Sequence, residues 1–385
     1  MATAQRILIV GGGIAGQTLA CALARQGLTC EIVEIRPDWQ IAGAAMTLQG
    51  NALRALRDIG LAEATVAAGW HGGARPLVFT DTLGQTVMEP DVLNMVGPGY
   101  PPQIAIRRQA LHEVLLRAVE AARVPIHMGT TVKSIDDTGG EVRVAFTDGR
   151  SQNYDLVVGA DGIRSTVRSL VFGDVQPRFA GFTNWRALLP RPPSVNRMMW
   201  MWGHGRSVGV LPLDGDQVFV AGVTKEKDAT RYPPEDLARL FCEKFRSFGG
   251  ALPDVLARAG EGPWLYTVME EITLDPPWYK GRVVLLGDAA HAACPFWAQG
   301  AAMAMEDAVV LAGLLGAGRP VDAALPEWMQ RRHARCLYVQ KGSYDTGVLT
   351  HIDPESDQPK QFPAAFSDIV TEQFHQREAK MAEPI

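Results

Sequence analysis

ILIVGGGIAG, residues 7–16, is the stretch that decides the fold. Ile7, Leu8, Ile9 and Val10 form an apolar run suited to a strand buried on both faces. Gly11, Gly13 and Gly16 follow on a G-x-G-x-x-G spacing, ahead of an apolar helical pattern through Leu19 and Leu23. Each glycine has its own reason. Gly11 permits a sharp turn, Gly13 lets backbone approach a pyrophosphate without a Cβ in the way, and Gly16 allows helix to pack closely on strand. The free N–H groups of the helix start, around Ile14 and Ala15, face the anion. The chain returns as a second apolar strand, Cys30-Glu31-Ile32-Val33-Glu34. Glu34 ends it roughly 20 residues past the glycines, where a carboxylate accepts from a ribose 2′-OH. Strand, turn, helix and terminal acid in register predict a dinucleotide site rather than a bare glycine turn.

The same logic recurs. Asp155-Leu156-Val157-Val158-Gly159-Ala160-Asp161-Gly162 is a buried strand closing on an acidic glycine turn, with Arg164, Ser165 and Arg168 in the helix that follows. Arg282-Val283-Val284-Leu285-Leu286-Gly287-Asp288 is another, and its loop leads to a helix of small residues expected over 300–315. An amphipathic helix is expected over 322–341. Residues 182–273 are strand-rich and heavy in Trp and Met, while 75–100 hold short β-like pieces and a Gly/Pro-rich loop, so the two read as one second domain. Residues 350–385 are polar and read as a loosely packed tail.

Composition narrows the function. A chain of 385 residues, 47% hydrophobic, has ample material for two domains or one large one. A net charge of −5 offers no basic footprint for nucleic acid and no polybasic membrane patch. The most apolar stretch, residues 283–304, is interrupted by Asp288, His291, Pro295 and Gln299, so no membrane span is expected. The first apolar run is four residues long and passes straight into the glycine turn, so no secretory leader is expected either. Five scattered cysteines without a C-x-x-C pair argue against a disulfide framework or a metal site, and read as reduced thiols of a cytoplasmic protein.

The three strand-end motifs, in this order, resemble the single-component FAD-dependent aromatic hydroxylases with the para-hydroxybenzoate hydroxylase fold, over nearly the whole chain to about residue 345. Gly11-Gly12-Gly13-Ile14-Ala15-Gly16 looks like the family's ADP-binding turn and Asp161-Gly162 like its second motif. Gly287-Asp288-Ala289-Ala290-His291, with Pro295 and Gln299-Gly300 running into Glu306-Asp307-Ala308, looks like the third and most specific motif. The resemblance implies an α/β fold. A Rossmann-like FAD-binding domain, a parallel sheet with helices, would take residues 1–74, 101–181 and 276–345. A smaller mixed or antiparallel β-sheet substrate domain would take 75–100 and 182–275, and a C-terminal tail 346–385, with C-terminal helices completing the fold.

It also implies chemistry: FAD as cofactor, NAD(P)H as co-substrate, and O₂ adding to the flavin as a C4a-hydroperoxide that hydroxylates an aromatic or heteroaromatic small molecule. The chain carries one G-x-G-x-x-G turn, so NAD(P)H would bind without a Rossmann domain of its own. A homodimer is compatible with such a chain. Same-fold alternatives are an epoxidase or Baeyer–Villiger-type oxygenase on a larger apolar metabolite, or a reductase or dehydrogenase that does not oxygenate.

Residue by residue, the resemblance implies that Glu34 holds the adenosine ribose and Asp288 the ribityl chain. Arg108 would contact the flavin's phosphate or ribityl region, with Arg107 as the alternative if the register slips. Asp161 would serve the flavin side and nicotinamide docking. Pro295, Gln299 and Gly300 would line the isoalloxazine, and the helix of Gly300, Ala301 and Ala302 would point its positive end at the flavin's pyrimidine oxygens. Ile35, Arg36, Ala44, Val132 and Gly162 complete the cofactor candidates. Ala298 stands where the family commonly has Gly.

Thr47, Trp185, Arg186, Met199, Met201 and Phe296 are substrate candidates, with Thr47 at a place where some relatives carry His. Thr47, His204, Pro295 and Gln299 are the catalytic candidates, and Tyr100, Tyr266 and His291 are further candidates for a base. Blander roles compete: His291 as a hydrogen-bonded loop residue, Arg186 as a brace of its sheet, Arg168 as a structural ion pair, Glu306 and Asp307 as solvent-facing or loop-capping acids. In a strand, Met199 and Met201 share one face and Met198, Trp200 and Trp202 the other.

Overall fold

Ile7–Val10 is flanked by parallel strands Leu156–Gly159 and Cys30–Glu34, so both its faces are covered and all four residues are buried. The computed structural model describes residues 6–41, 43–73, 75–351 and 366–385. In the six-stranded sheet the order runs Tyr279–Lys280, Val283–Leu285, Leu156–Gly159, Ile7–Val10, Cys30–Glu34, Ile126–Met128, and all neighbours are parallel except the first pair. The three motif turns therefore leave the same edge of this sheet side by side. Gly11 adopts φ +107°, and a Cβ there would lie 2.5 Å from the Ala160 carbonyl oxygen; at Gly16 it would lie 2.0 Å from the Gly11 oxygen. These two glycines let the turn close against the neighbouring strand and the helix Ile14–Arg25 close on the turn.

A seven-stranded sheet forms the second layer, in the order Trp264–Glu271, Arg178–Pro190, Gln217–Lys225, Arg206–Leu213, Met198–Gly203, Leu77–Thr80, Thr86–Met88. Residues 77–88 thus join the later strand-rich stretch, with Leu77–Thr80 parallel to Met198–Gly203 and the other neighbours antiparallel. Its outer face packs on helices Leu237–Phe245 and Leu252–Leu256 through Trp185, Met201, Val208, Val220, Phe241 and Phe245. Its inner face looks toward the motif turns.

The C-terminal region differs from the loose tail expected. The helix expected over 322–341 runs from Val321 to Thr350, and a further helix spans Phe366–Ala382; residues 352–365 of the expected tail lie outside the described residues. Phe366, Val370, Phe374 and Met381, at spacings of four and seven, put an apolar stripe on one side of the last helix, and all four are buried. Its final carbonyls are held by two arginines: Arg54 donates to Met381 and Ala382, Arg335 to Lys380 and Met381. Polar residues on the other stripe masked this pattern.

Candidate active site

A cavity of about 480 Å³ lies between the motif turns and the inner face of the seven-stranded sheet. Gly13, Ile14, Ala15, Arg108, Asp288 and Gly300 bound one end. A Cβ at Gly13 would meet nothing within 4 Å, so this glycine opens onto space, in contrast to Gly11 and Gly16. Helix Ile14–Arg25 has no side-chain cap and no acid in its first turn, and neither does helix Gly300–Gly316. Two uncapped helix N-termini therefore face one end of the cavity, each attracting negative charge.

The adenosine-side candidates gather at the edge of the parallel sheet. Glu34 accepts from the Gly12 N–H (2.8 Å) and the Arg36 N–H (3.0 Å), and Gly129 and Thr130 donate to the carbonyls of Arg36 and Glu34. Trp39, which the sequence reading passed over, lies against Gly12 and tilts on His112 (4.7 Å between rings). This set fits a flavin dinucleotide: a glycine cradle open to the cavity, two anion-seeking helix ends, an arginine and an aspartate.

Several candidates stand elsewhere than expected. Arg108 lines the cavity, whereas its neighbour Arg107 reaches Gln217. Burial pushes the Arg108 guanidinium down, opposed by Asp288. Ile35, next to Glu34, is 64% exposed, Val132 and Ala302 are buried in the core and Ala44 packs near the two-stranded sheet; like Glu34, none of the four lines the cavity. Asp161 is turned inward, accepting from Ser165, from the Thr166 N–H (2.7 Å) and from the Val167 N–H (3.1 Å); its carboxylate caps helix Thr166–Phe172, while Ala160 and Gly162 face the cavity.

Gln299 is also turned away. It is buried, and its amide is engaged by Asn51 and Gln49, so a catalytic part for this side chain is not supported; Pro295, Phe296, Trp297 and Ala298 line the cavity in its place. His204 sits in the hairpin turn after Met198–Gly203, outside the cavity. Tyr266 meets Trp185 edge-on at the outer face and donates to the Thr230 carbonyl, and Tyr100 is likewise not a lining residue.

Strand parity decides which of the remaining substrate candidates face the cavity. Trp185 and Arg186 are adjacent in one strand and cannot face the same way. Arg186 lines the cavity and Trp185 is buried in the outer core; similarly Met198, Trp200 and Trp202 line the cavity, while Met199 and Met201 pack on the outer helices. The inner face reads across the register as Arg186, Ala221, Gly209, Trp200 and Phe79. Asn184, Val223, Ser207 and Trp202 form the next row.

Behind the third motif lies a buried ionic cluster. Glu306 and Asp307 are fully buried, not solvent-facing: Arg332 bridges both (2.7 and 2.8 Å), and Arg335 adds a bond to Glu306 (2.7 Å). Asp307 also accepts from His291 (2.7 Å) and the Gly287 N–H (3.1 Å), which fixes the turn that carries Asp288. Burial opposes a charge on His291, but Cys336 and Asp307 beside it raise its pKa well above the usual value. His291 is thus an ion-paired loop residue. Arg168 holds the same loop through the Ala289 carbonyl (2.9 Å).

A family model described as an FAD binding domain matches residues 4–336, and the chain belongs to that family. Aurachin C monooxygenase/isomerase of Stigmatella aurantiaca is 33% identical over 91% of this chain and 90% of its own. 3-Hydroxybenzoate 6-hydroxylase 1 of Aquipseudomonas alcaligenes is 32% identical over 90% and 89%. In solved form, HpxO of Klebsiella pneumoniae, complexed with FAD and uric acid, shares the fold at a TM-score of 0.85 over 99% of this chain and 97% of that one, with 22% identity. The protein is an FAD-dependent monooxygenase of the aromatic hydroxylase type.

The monooxygenase offers its substrate few ionisable groups. Among the described lining residues there is no His, Tyr, Lys, Cys or Glu; the charged ones are Arg108, Arg186, Asp288 and Arg377. Arg186 donates to Thr267 (2.9 Å) and has no carboxylate partner among the described residues; burial pushes its guanidinium down to about 10, with Arg108 acting in the same direction. Ser207 is hydrogen-bonded to Nε2 of the buried His351 (3.0 Å), whose Nδ1 lies 3.0 Å from the Gly347 carbonyl. A carbonyl only accepts, so Nδ1 carries the proton, Nε2 accepts from Ser207, and the Ser207 oxygen is left with lone pairs for a ligand. Burial pushes the His351 pKa down to about 4, which keeps this arrangement neutral.

Proposed function

We propose that this monooxygenase uses NAD(P)H and O₂ to hydroxylate an aromatic or heteroaromatic small molecule. The observation that carries the reading is one cavity bounded at one end by the three motif turns and at the other by an aromatic sheet face. FAD, when bound, supplies electron transfer from NAD(P)H and activation of O₂ for transfer of one oxygen atom to the ring. Gly13 and the N-termini at Ile14 and Gly300 would hold its anionic parts, with Arg108 and Asp288 beside them.

The protein's own part is positioning and electrostatics. Met198, Trp200 and Phe296 exclude water, and the two aromatic rings offer flat surfaces to a substrate ring. Arg186 would favour the phenolate form of a ring hydroxyl, whose proton leaves to water as the substrate binds, and a phenolate ring is more electron-rich than a phenol. The 3-hydroxybenzoate 6-hydroxylase named above acts on a ring with such an oxygen. Thr47, Asn184 and Ser207 offer further polar contacts to the substrate. Reduced, mostly buried cysteines fit an enzyme that works in the cytoplasm.

Turnover under ¹⁸O₂ tests the reading. The expected result is one labelled oxygen in the product for each NAD(P)H consumed. NAD(P)H oxidation that proceeds equally without O₂, or product oxygen drawn from water, contradicts it and indicates a reductase or hydrolase instead.

A further inference from the structure

The two ends of the cavity on the sheet face are chemically unlike. Near the motif turns the strand Arg178–Pro190 contributes Asn184 and Arg186. Three strands away the same face becomes wholly apolar: Trp200, Trp202 and Met198, then Phe79 and Leu77. Phe79 stacks on Trp202 at 4.7 Å, and the C-terminal helix closes this end with Val370 and Phe374, the latter edge-on to Phe79 at 6.3 Å. Open space remains between these walls, since all of these residues line the cavity.

The one charge at this end is already ion-paired, although its Nε has no partner among the described residues. Arg377 donates to Glu378 (3.1 Å), and its guanidinium lies 4.3 Å from the centre of the Phe374 ring. A carboxylate placed there would meet a cation already neutralised by Glu378, and the polar side chains beside it are the amides of Gln103 and Gln373. Arg186, in contrast, has its cation turned to the cavity with only a threonine hydroxyl to donate to.

We infer that the substrate is an amphipathic aromatic: a ring oxygen accepts from Arg186, and a hydrocarbon substituent of several carbons lies in the chamber walled by Trp200, Trp202, Phe79 and Phe374. The inference rests on the hydroxylase reading for putting the ring at the flavin end. The register supports the span, because Arg186 and Trp200 stand on one row of the sheet with only the small Ala221 and Gly209 between them. The Trp200 indole lies over Gly209, so a ligand reaching from Arg186 across Ala221 runs onto that ring. The C-terminal helix then acts as the far wall, and its residues decide how long a substituent is accepted.

The test is a set of equilibrium titrations of the FAD-loaded, full-length protein with phenol, 4-propylphenol, 4-heptylphenol and 4-hydroxybenzoate, read by the change in flavin absorbance. Burying a methylene yields about 0.8 kcal/mol, close to a fourfold gain in affinity, so 4-propylphenol is expected to bind roughly fiftyfold tighter than phenol and also tighter than 4-hydroxybenzoate. Phe374→Asp is expected to cut the propyl preference below about fivefold while phenol stays within twofold; Trp202→Gln reads the same wall should that variant not fold. Arg186→Gln is expected to weaken every phenol about tenfold whatever its chain, and Arg186→Lys to restore much of the loss. Affinity that ignores chain length, or 4-hydroxybenzoate as the tightest ligand, overturns the inference. Oxygen uptake with the same ligands is measured separately. Chain-dependent binding without NAD(P)H-driven uptake keeps the inference and removes the hydroxylase reading, and uptake with a flat chain series does the reverse.

Discussion

On the flavin side, the cavity is bounded mainly by backbone: Gly13, the N–H groups at the starts of helices Ile14–Arg25 and Gly300–Gly316, and turns whose side chains point away, as Asp161 and Gln299 do. On the sheet side, it is bounded by side chains alone, Arg186, Trp200, Trp202 and Phe79 among them. The difference teaches where tolerance lies. A backbone wall depends on glycines and on whatever holds the turns from behind, so a single Cβ can abolish it. A side-chain wall can be altered residue by residue without disturbing the sheet that carries it.

The largest effect is expected behind the backbone wall. Arg332→Ala removes the fully buried partner of Glu306 and Asp307 and is predicted to lower unfolding stability by about 3–5 kcal/mol, measurable by urea titration. A loss below 1 kcal/mol would mean that Arg335 and His291 satisfy the two acids alone. Next comes pH, acting at the seam between the walls through His351. Its folded pKa, about 4, lies below its unfolded value near 6.5, so the unfolded chain binds the extra proton first. This contribution is complete above pH 6.5 and is lost as pH falls toward 4, by up to about 3 kcal/mol. His112, also pushed down by burial, acts in the same sense. His351→Gln should flatten most of the slope of stability against pH in that window; an unchanged slope would assign it to other groups.

A smaller change sharpens the contrast at the side-chain wall. Trp200→Ala is predicted to weaken aromatic ligands about tenfold, from lost ring contact of about 1 kcal/mol or more, with the flavin content of the purified protein unchanged. The smallest concerns Ala298, which holds φ +52° in the left-handed region where glycine carries no penalty. Ala298→Gly should stabilise the protein by about 1 kcal/mol in thermal unfolding, offset in part by the entropy of glycine in the unfolded chain.

The same division explains what could be read from residues alone. Backbone walls leave a signature in spacing, because Gly11, Gly13, Gly16, Glu34 and Asp288 must stand at fixed distances from strand ends, and those residues occupy the places their motifs suggest. A strand wall leaves only alternation, which says that 198, 200 and 202 share a face but not which face looks inward. That parity is set by the helices Leu237–Phe245 and Leu252–Leu256 covering the other side, a contact between distant segments. Trp185 and Arg186 both read as substrate candidates, although adjacency in one strand already forbids them a shared face. The buried state of Glu306 and Asp307 was hidden for a similar reason, since their partners Arg332 and Arg335 lie on another helix. A paired cluster of acids and arginines about one helix apart is a signal that could have found it.

The FAD-to-protein ratio in two purified variants tests the division most directly. With Gly16→Val, whose new side chain begins 2.0 Å from the Gly11 oxygen, the account predicts protein that is colourless and does not take up added FAD, whereas Trp202→Ala retains one FAD per chain. Flavin kept by Gly16→Val, or lost with Trp202→Ala, would contradict it.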